Sequence, residues 1–390
     1  MRRRLIINKA SGFSSARFLV RQNNEVKQGL PLVYNFPMRI LVINPGGAST
    51  KLSVFDDEKE IASGEAVHDA KVLKSFPKTT DQAEFRAEGV RKFLEEHNIP
   101  LESIDALAVR GGAFLPMPSG TYRVNQRIID QVKNGEVMTD HASNLGVLMG
   151  DEIARPLGIP CFFTDPVCVD EFIPESRLSG HPLLPRVSLF HALNIKHVIR
   201  IAAERLGKKP GEMNMVVSHL GTGISVVASR KGQVIDVSNA NDGGPFSPQR
   251  TGALPVTGLA KLCFSGKFSE KEVMTMMVKE GGVYAYLGTY DFRDVMERMD
   301  AGEELPGLVY RAMIIQVAKE MGAMASVLAG QVDLQVITGG IAHNERFVND
   351  LRAYIDWIGP VMVIPGEMEM EALAAAALRV LRGQEEPREA

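Results

Sequence analysis

Two short segments of the sequence combine strand-forming residues with glycine and hydroxyl side chains, a combination suited to binding phosphate. The more distinctive one, Met215–Ser229 (MVVSHLGTGISVVAS), has an apolar run, the turn Gly221-Thr222-Gly223 and a second apolar run. Both runs are short and rich in β-branched residues, which predicts strands. Glycines let a backbone bend sharply and bring its N–H groups close to an anion. The segment therefore predicts a phosphate-binding turn, with His219 at its entrance.

A second copy of this pattern lies about 175 positions earlier. The apolar run Ile40–Ile43 leads into the flexible turn Asn44–Lys51 (NPGGASTK), and another strand and a polar hairpin tip follow. Placing the two copies in register aligns Asn44 with His219. The duplication predicts two related half-domains whose turns face each other. The first turn adds four candidate phosphate-binding residues: Asn44, Gly46, Ser49 and Lys51.

Two common nucleotide-binding motifs do not match these turns. Lys51 invites comparison with a P-loop, but that motif needs a helix directly after the lysine, and here a strand follows. A dinucleotide-binding glycine fingerprint fails for the same reason.

Two arginines stand where they could bind an anion. Arg110 ends the apolar run 106–109 and precedes two glycines, and Arg250 lies in the Gly/Pro-rich segment 239–252. A guanidinium group can bind a carboxylate or phosphate through two parallel hydrogen bonds. The alternative for Arg110 is a surface arginine at a turn. Segments as long as 239–252 are usually functional or disordered.

Acidic and histidine side chains mark further strand and helix ends. Asp165 ends the strand 159–164, which suits metal or substrate positioning, although aspartate is also a common turn residue; Asp170 and Glu171 are rivals for this role. His191 starts a helix, where the helix dipole favours a nearby anion. His141 is interpreted as a capping or core histidine.

The last part of the chain contains a second pattern typical of nucleotide binding, followed by three glutamates. Gly339 and Gly340 lie between a strand and a helix, so their backbone could lie flat against a nucleotide. Glu367, Glu369 and Glu371 precede an Ala-rich helix. Carboxylates in a first helical turn are usually caps, and the alternative is binding Mg²⁺ through water.

Bulk properties indicate an ordinary globular protein of 390 residues with 45% hydrophobic and 23% charged residues. A net charge of −3 gives no reason to expect a nucleic acid or an anionic membrane as partner. No apolar run approaches the ~20 residues of a membrane span. Three cysteines without a close pair suggest free thiols in a reducing compartment, and we expect a cytoplasmic protein.

Residues 1–37 differ from the remainder in charge. They carry seven basic residues and one acidic residue. The segment loosely resembles a transit peptide. The alternative, which we adopt, is a disordered or non-native extension, with the natural start at Met38.

Taken together and in this order, the motifs resemble those of the acetate and butyrate kinases, which belong to the superfamily of actin, sugar kinases and Hsp70. The resemblance runs from about residue 38 to residue 383, and the compact segment before Arg250 is most similar to the butyrate branch. In one departure the family's usual Gly-Ser in the first turn is Gly46-Gly47 here. The segments that carry it are NPGGASTK, RGG, FHALN, SHLGTGIS, FSPQRTG, ITGGIAHNE and IPGEMEMEALA.

The resemblance implies an α/β fold of two ribonuclease-H-like domains with the active site in the cleft between them. It implies a first domain of residues 38–190, completed by a C-terminal helix at 370–383, and a nucleotide-binding domain of residues 191–369. On family grounds we also expect a homodimer or a multiple of dimers.

The resemblance also implies a role for each matching residue. Arg110 would bind the substrate carboxylate, and His191 and Arg250 would stabilise the phosphoryl group in transfer. Asp165 would position the reacting groups or the metal. Asn44 and Glu369 would hold Mg²⁺, and Gly339 and Gly340 would face the adenosine. His219, Gly221, Thr222 and Gly223 would surround the ATP phosphates, and Phe190 and Pro245 are candidates for the substrate pocket.

The implied activity is Mg²⁺·ATP-dependent phosphorylation of a short-chain fatty acid, giving butanoyl phosphate and ADP from butanoate. The alternatives are a kinase for acetate, propionate or a branched acid, and, from another class, a nucleotide-gated scaffold of the actin or Hsp70 type. The two candidate arginines favour small-molecule transfer over a scaffold.

Overall fold

A computed structural model describes residues 37–239 and 241–390 of the chain, so the extension expected at residues 1–37 lies outside the described residues except for Pro37. This part of the chain forms two β-sheets. The strands of the first sheet are β1 (Arg39–Pro45), β2 (Ser49–Asp56), β3 (Lys59–Val67), β4 (Ala106–Arg110), β5 (Thr121–Arg123), β6 (Cys161–Thr164) and β12 (Arg388–Glu389). They are arranged in the order β12-β5-β6-β4-β1-β2-β3.

The second sheet repeats the central arrangement of the first. Its strands are β7 (Asn214–Leu220), β8 (Ile224–Arg230), β9 (Gln233–Val237), β10 (Leu334–Gly339) and β11 (Val361–Pro365), in the order β11-β10-β7-β8-β9. In each sheet three consecutive strands pair antiparallel, and the first of them also pairs parallel with a later strand. This is the duplicated pattern expected from the sequence, with both glycine turns at corresponding strand ends.

Helices cover both faces of each sheet. In chain order they are α1 (Ala70–Ser75), α2 (Ala83–Glu96), α3 (Gln126–Lys133), α4 (Leu145–Leu157), α5 (Ala192–Arg205), α6 (Val256–Cys263), α7 (Glu270–Val278), α8 (Gly282–Leu287), α9 (Phe292–Asp300), α10 (Glu304–Val327), α11 (Glu345–Ile355) and α12 (Glu369–Leu381). Because both sheet faces are covered, the central strands are apolar on both sides.

Four apolar clusters result from this layering. Leu41 and Ile43 of β1 face α2 and α4, whereas their neighbours Ile40 and Val42 face α12. In the second sheet Met215 and Val217 share a cluster with α5, and the opposite face packs on α10 and α11. Successive strand residues point to opposite faces, which explains the division. Helices α5 and α12 also contact each other, and they lie between the two sheets.

The connection between the two halves packs mainly with the second. Val169, Phe172 and Phe190 are buried in the cluster of α5 and the second sheet, although our proposed first domain extends to residue 190. Helix α12 covers the first sheet, as that proposal expects, and strand β12 pairs with β5 beyond it. The boundaries at 190 and 369 stay a prediction.

None of the helices described in residues 37–239 and 241–390 has both the length and the apolar character needed to cross a membrane.

Candidate active site

The second glycine turn is crowded by functional side chains. The Gly221 N–H donates to the Gly223 carbonyl across 3.1 Å and closes the turn between β7 and β8. A Cβ on Gly221 would lie 3.2 Å from Glu367 Oε1 and 3.3 Å from His219 Nε2. A Cβ on Gly223 would lie 2.9 Å from Cζ of Arg250. A side chain at either position would therefore have to displace Glu367, His219 or Arg250.

His219 is buried at the end of β7 and has one free ring nitrogen. Its Nδ1 lies 2.9 Å from Nδ2 of Asn194 on α5, and Asn194 Oδ1 accepts from the Met368 N–H at 3.1 Å. His219 Nε2 has no hydrogen-bond partner among the described residues and lies 3.6 Å from Glu367 Oε1. Buried polar atoms are rarely left unpartnered, so Nε2 indicates a binding position for a ligand atom.

A second histidine stacks on the first. The rings of His191 and His219 lie 4.0 Å apart at an angle of 11°. His191 Nδ1 lies 2.9 Å from Ser225 Oγ, which leaves Nε2 for a ligand. Burial lowers the pKa of His191 well below its usual value, and His219, Arg250 and Arg110 lower it further. His191 is therefore a neutral ring at neutral pH.

The Arg250 guanidinium lies over the second turn and is held by its own loop. Its Nη1 donates to Asn241 Oδ1 at 2.9 Å, and its backbone N–H donates to Ser247 Oγ at 3.1 Å. Ser247 Oγ in turn donates to the Thr222 carbonyl at 2.5 Å. Ser247 thus joins the Arg250 loop to the second turn by hydrogen bonds. Burial lowers the pKa of Arg250, but arginine remains protonated in proteins.

Arg110, Asn44 and Glu369 meet where the first sheet borders the second turn. Arg110 forms an ion pair with Glu369, whose other oxygen accepts from Asn44 Nδ2 at 2.9 Å. Burial raises the pKa of Glu369, but Arg110 and Asn44 outweigh it and hold the pKa below its usual range. Arg110 Nε is buried without a partner among the described residues. Arg110 Nε is therefore a donor that a ligand atom could use.

The oxygen atoms of Asn44 and Glu369 are suited to magnesium. Mg²⁺ prefers oxygen ligands and is often held by one or two carboxylates together with substrate phosphates. Across residues 37–239 and 241–390 no group of three or more His, Cys, Asp or Glu side chains is arranged to hold a metal. Asn44 and Glu369 would supply two oxygen donors, which fits a metal shared with substrate phosphates; their part in holding Mg²⁺ stays a prediction.

The first glycine turn differs from the second because an arginine lies beneath it. Gly46 N–H donates to the Ser49 carbonyl at 2.7 Å. Arg86 of α2 donates to the carbonyls of Gly46 at 2.8 Å and Gly47 at 2.9 Å. The Ser49 hydroxyl donates a hydrogen bond to Glu65 Oε1, and the side chain of Lys51 is exposed on β2.

Arg86 was missed by the sequence analysis, although one signal was available. Val90 and Phe93 form the apolar face of α2, and Arg86 lies on the same face at helical spacing. A lone arginine on a buried stripe needs polar partners and indicates a special role.

Gly339 and Gly340 occupy different environments. Gly339 has φ 91°, and a Cβ there would lie 2.4 Å from the Leu220 carbonyl oxygen, so glycine is needed for the close approach of β10 and β7. A Cβ on Gly340 would have nothing within 4 Å. Open space beside Gly340 is compatible with its predicted contact to adenosine, which stays a prediction.

Asp165 and the two candidate pocket residues have no hydrogen bond or ion pair to the arginines and histidines above. Asp165, at φ 39°, accepts from Ser119 Oγ at 2.6 Å and from Arg200 at 3.3 Å. Phe190 is buried in the cluster with α5, and Pro245 is buried in the loop before Arg250. Their proposed roles in substrate binding are not tested by these contacts.

His141 is a capping histidine, as interpreted from the sequence, and it also lies near the site. Its Nδ1 accepts from the Ser143 N–H at 3.2 Å. Burial lowers the pKa of His141, and the charges of Arg110 and Arg250 lower it further. The charges of Arg110 and Arg250 thus both lower the pKa of His141 and of His191.

The chain is similar in sequence to known kinases. The acetokinase family matches residues 183–359. A probable butyrate kinase of Thermotoga petrophila is 48% identical over 90% of this chain and 98% of its own length. Probable butyrate kinase 2 of Caldanaerobacter subterraneus subsp. tengcongensis is 45% identical over 90% of this chain and 99% of its own length.

Solved structures confirm the predicted fold class. Acetate kinase of Porphyromonas gingivalis superimposes with a TM-score of 0.73 at 18% identity, covering 88% of this chain and 99% of that one. A propionate kinase of Francisella tularensis gives 0.69 at 19% identity, covering 87% and 98%. The two-domain actin-like arrangement expected from the sequence is therefore correct. Near-complete coverage at 45–48% identity establishes that the chain belongs to the acetokinase family.

Proposed function

We propose that this protein is a butyrate kinase, which transfers the γ-phosphoryl group of ATP to butanoate and releases butanoyl phosphate and ADP. The observation that carries the proposal is the stacked pair His191 and His219 beside a glycine turn that the Arg250 guanidinium contacts, with both Arg250 and Arg110 near enough for their charges to lower the pKa of His191. The butyrate kinases to which the chain is 45–48% identical support the choice of substrate.

The chemistry required of the protein is mainly electrostatic. A carboxylate is already ionised near neutral pH and needs no general base. Its attack on the γ-phosphate is opposed by like-charge repulsion. The positive charges of Arg110 and Arg250 offset that repulsion and the charge that develops on the transferring group.

Each charged group has a distinct proposed task. Arg110, whose Nε is free, binds the acid, and Arg250 over Gly223 stabilises the phosphoryl oxygens. Neutral His191 presents a ring nitrogen to an oxygen atom without adding a charge that titrates near pH 7. His219 presents its Nε2, which has no hydrogen-bond partner among the described residues. When bound with ATP through Asn44 and Glu369, Mg²⁺ would neutralise phosphate charge.

The test is kcat/KM for straight and branched acids from two to five carbons, with Mg·ATP and hydroxylamine trapping of the acyl phosphate. We expect butanoate to be preferred. One CH₂ contributes only about 0.8 kcal/mol, so neighbouring acids should react more slowly rather than not at all. A preference for acetate or a branched acid would select the corresponding rival, and nucleotide binding without hydroxamate would favour the scaffold.

We also propose a homodimer or a multiple of dimers. Several large apolar side chains of the second half are exposed, including Phe264 just after α6 at 91% and Trp357 just after α11 at 73% of their surface. Exposed apolar patches commonly mark contacts between proteins. Light scattering during size-exclusion chromatography would measure the mass, and a monomer at micromolar concentration would contradict this proposal.

A further inference from the structure

Arg86 is a buried cation whose hydrogen-bond partners include no carboxylate. The side chain is 1% exposed. Nε and Nη2 donate to Gln82 Oε1 at 3.1 and 3.0 Å, and Nη2 also reaches the Gly47 carbonyl at 2.9 Å. Nη1 donates to the carbonyls of Gly46 at 2.8 Å and Ser49 at 3.4 Å. All five N–H groups of the guanidinium thus have an acceptor, and each acceptor is neutral.

These bonds fix the orientation of the first phosphate turn. In a planar trans peptide the C=O and the following N–H point in opposite directions. Because the carbonyls of Gly46 and Gly47 point towards Arg86, the N–H groups of Gly47 and Ala48 are directed to the other side. Gly47 and Ala48 are exposed there, and a Cβ on Gly47 would meet nothing within 4 Å. Successive N–H groups on one open side are suited to an anion.

A purely structural role would not explain the neutral surroundings. A buried charge is costly unless it is paired, and a carboxylate at position 82 would supply the pair. The chain instead has Gln82, whose own Nε2 is held by the Leu73 carbonyl at 3.2 Å. The positive charge of Arg86 therefore lies directly behind the turn without a carboxylate hydrogen-bonded to it.

We propose that Arg86 is a positioning residue for nucleotide binding, which aims the amides of the first turn at a phosphate group and adds a fixed positive charge behind them. The proposal rests on the use of ATP proposed above. It assigns to the first turn an arginine that acts through the backbone, in contrast to Arg250, which lies over the second turn.

The direct test is calorimetric binding of Mg·AMPPNP, an ATP analogue, to the full-length protein. Arg86→Met should weaken binding about 30-fold, as expected for one unit charge lost near a phosphate at an effective dielectric constant of about 20. Arg86→Lys keeps the charge but not the planar fork and should lose less, about fivefold. Arg91→Met, on the more exposed side of the same helix, is the matched control and should bind as wild type does.

A second variant separates charge from packing. Gln82→Glu keeps an acceptor for Arg86 but neutralises its charge, so Mg·AMPPNP affinity should fall about tenfold while the thermal midpoint stays within a few degrees of wild type. A structural role would not change affinity in a folded variant. Gln131→Glu is the control, because Gln131 also donates to a backbone carbonyl, that of Glu136, at an exposed position.

Steady-state kinetics provide an independent measurement. KM for ATP should rise in Arg86→Lys and Gln82→Glu, whereas KM for the acid should change less than about twofold. Wild-type affinity for Mg·AMPPNP in folded Gln82→Glu and Arg86→Lys would overturn the proposal, even if Arg86→Met does not fold. If the wild type binds Mg·AMPPNP but phosphorylates no acid, the proposed function fails while the inference about Arg86 can still be tested.

Discussion

The two glycine turns have the same position in duplicated sheets but receive positive charge from opposite sides. In the second turn, between β7 and β8, the Arg250 guanidinium lies where a side chain on Gly223 would be, which is the side on which we propose that it contacts the phosphoryl group. In the first, between β1 and β2, Arg86 lies beneath the turn and bonds only to its carbonyls and to Gln82. The two turns connect equivalent strands of the two sheets, but the arginines that contact them lie in different positions.

This difference separates two tasks. A guanidinium on the ligand side can contact the group being transferred and follow its change of charge. A guanidinium behind the backbone cannot touch the ligand, but it can fix the directions of the backbone N–H groups before the ligand arrives. We therefore expect changes at the second turn to affect kcat most, and changes at the first turn to affect nucleotide affinity.

The largest effect is expected for Arg250→Ala. Loss of an arginine that stabilises the transferring phosphoryl group should lower kcat by about 10³-fold. The measurement is kcat for hydroxamate formation at saturating ATP and butanoate. Arg230→Ala, an exposed arginine at the end of β8, is the control. A kcat within tenfold of wild type would show that the two turns do not differ in the way proposed.

Arg110→Ala should act on the acid rather than on the chemical step. Removing a guanidinium that binds a carboxylate through two hydrogen bonds should raise KM for butanoate by about 100-fold, with a smaller change in kcat. Titration of butanoate at saturating Mg·ATP measures both constants. Arg123→Ala, an exposed arginine on β5 of the same sheet, should leave them unchanged. An unaltered KM in Arg110→Ala would remove this arginine from the acid site.

A pair of glycine substitutions tests the turns directly. Gly223→Ala places a methyl group 2.9 Å from Cζ of Arg250 and should lower kcat about tenfold by moving the guanidinium. Gly47→Ala places its methyl group where no atom of the chain lies within 4 Å, so kcat at saturating Mg·ATP should stay within about twofold of the wild-type value, and any loss should appear in KM for ATP. Both variants should unfold near the wild-type temperature. Equal losses of kcat in the two variants would contradict the contrast between crowded and open turns.

The smallest effect concerns pH and His68, whose Nε2 lies 2.9 Å from Thr50 Oγ1 beside the first turn. Burial lowers the pKa of His68, and the charge of Arg86 lowers it further. Below about pH 6.5 His68 is therefore protonated to a greater extent in the unfolded chain than in the folded protein. This difference lowers the free energy of unfolding as the pH falls below that value and has no effect at pH 8.

His68→Gln should reduce this acid sensitivity. The loss of unfolding free energy between pH 8 and pH 5 should shrink by no more than about 1 kcal/mol, because solvent screens part of the shift. Urea unfolding at both pH values measures it, and His181→Gln, at an exposed position, is the control. An unchanged difference would show that His68 titrates normally.

The sequence analysis predicted the repeated pattern well because both copies leave strong local signals. Apolar runs of β-branched residues around Gly221–Gly223 and around Gly46 predict strand, turn and strand without reference to the remainder of the chain. Arg110 and Arg250 were identified through their motifs, and the charges of both lower the pKa of His191; their proposed roles stay predictions.

Other features depend on contacts between distant segments and were not predictable in this way. Arg86 contacts a turn about 40 positions earlier, and Asn194 contacts His219 from another element. For Asp165 the sequence shows a carboxylate at a strand end, but its direction towards Ser119 and Arg200 is decided by the packing of α5. A motif indicates which residue matters, and tertiary packing decides what it faces.

Helix α12 and strand β12 are synthesised after the whole second sheet, yet α12 covers the first sheet and β12 pairs within it. Ile40 and Val42 of β1 are covered by Leu373 and Ala377 of α12. On the ribosome, this face of the nascent first half therefore lacks its cover until α12 has emerged. Domains usually complete folding in the order of synthesis. Here the first half is completed only after the second sheet has been made, and a chain stopped before residue 369 would expose that face to chaperones and aggregation.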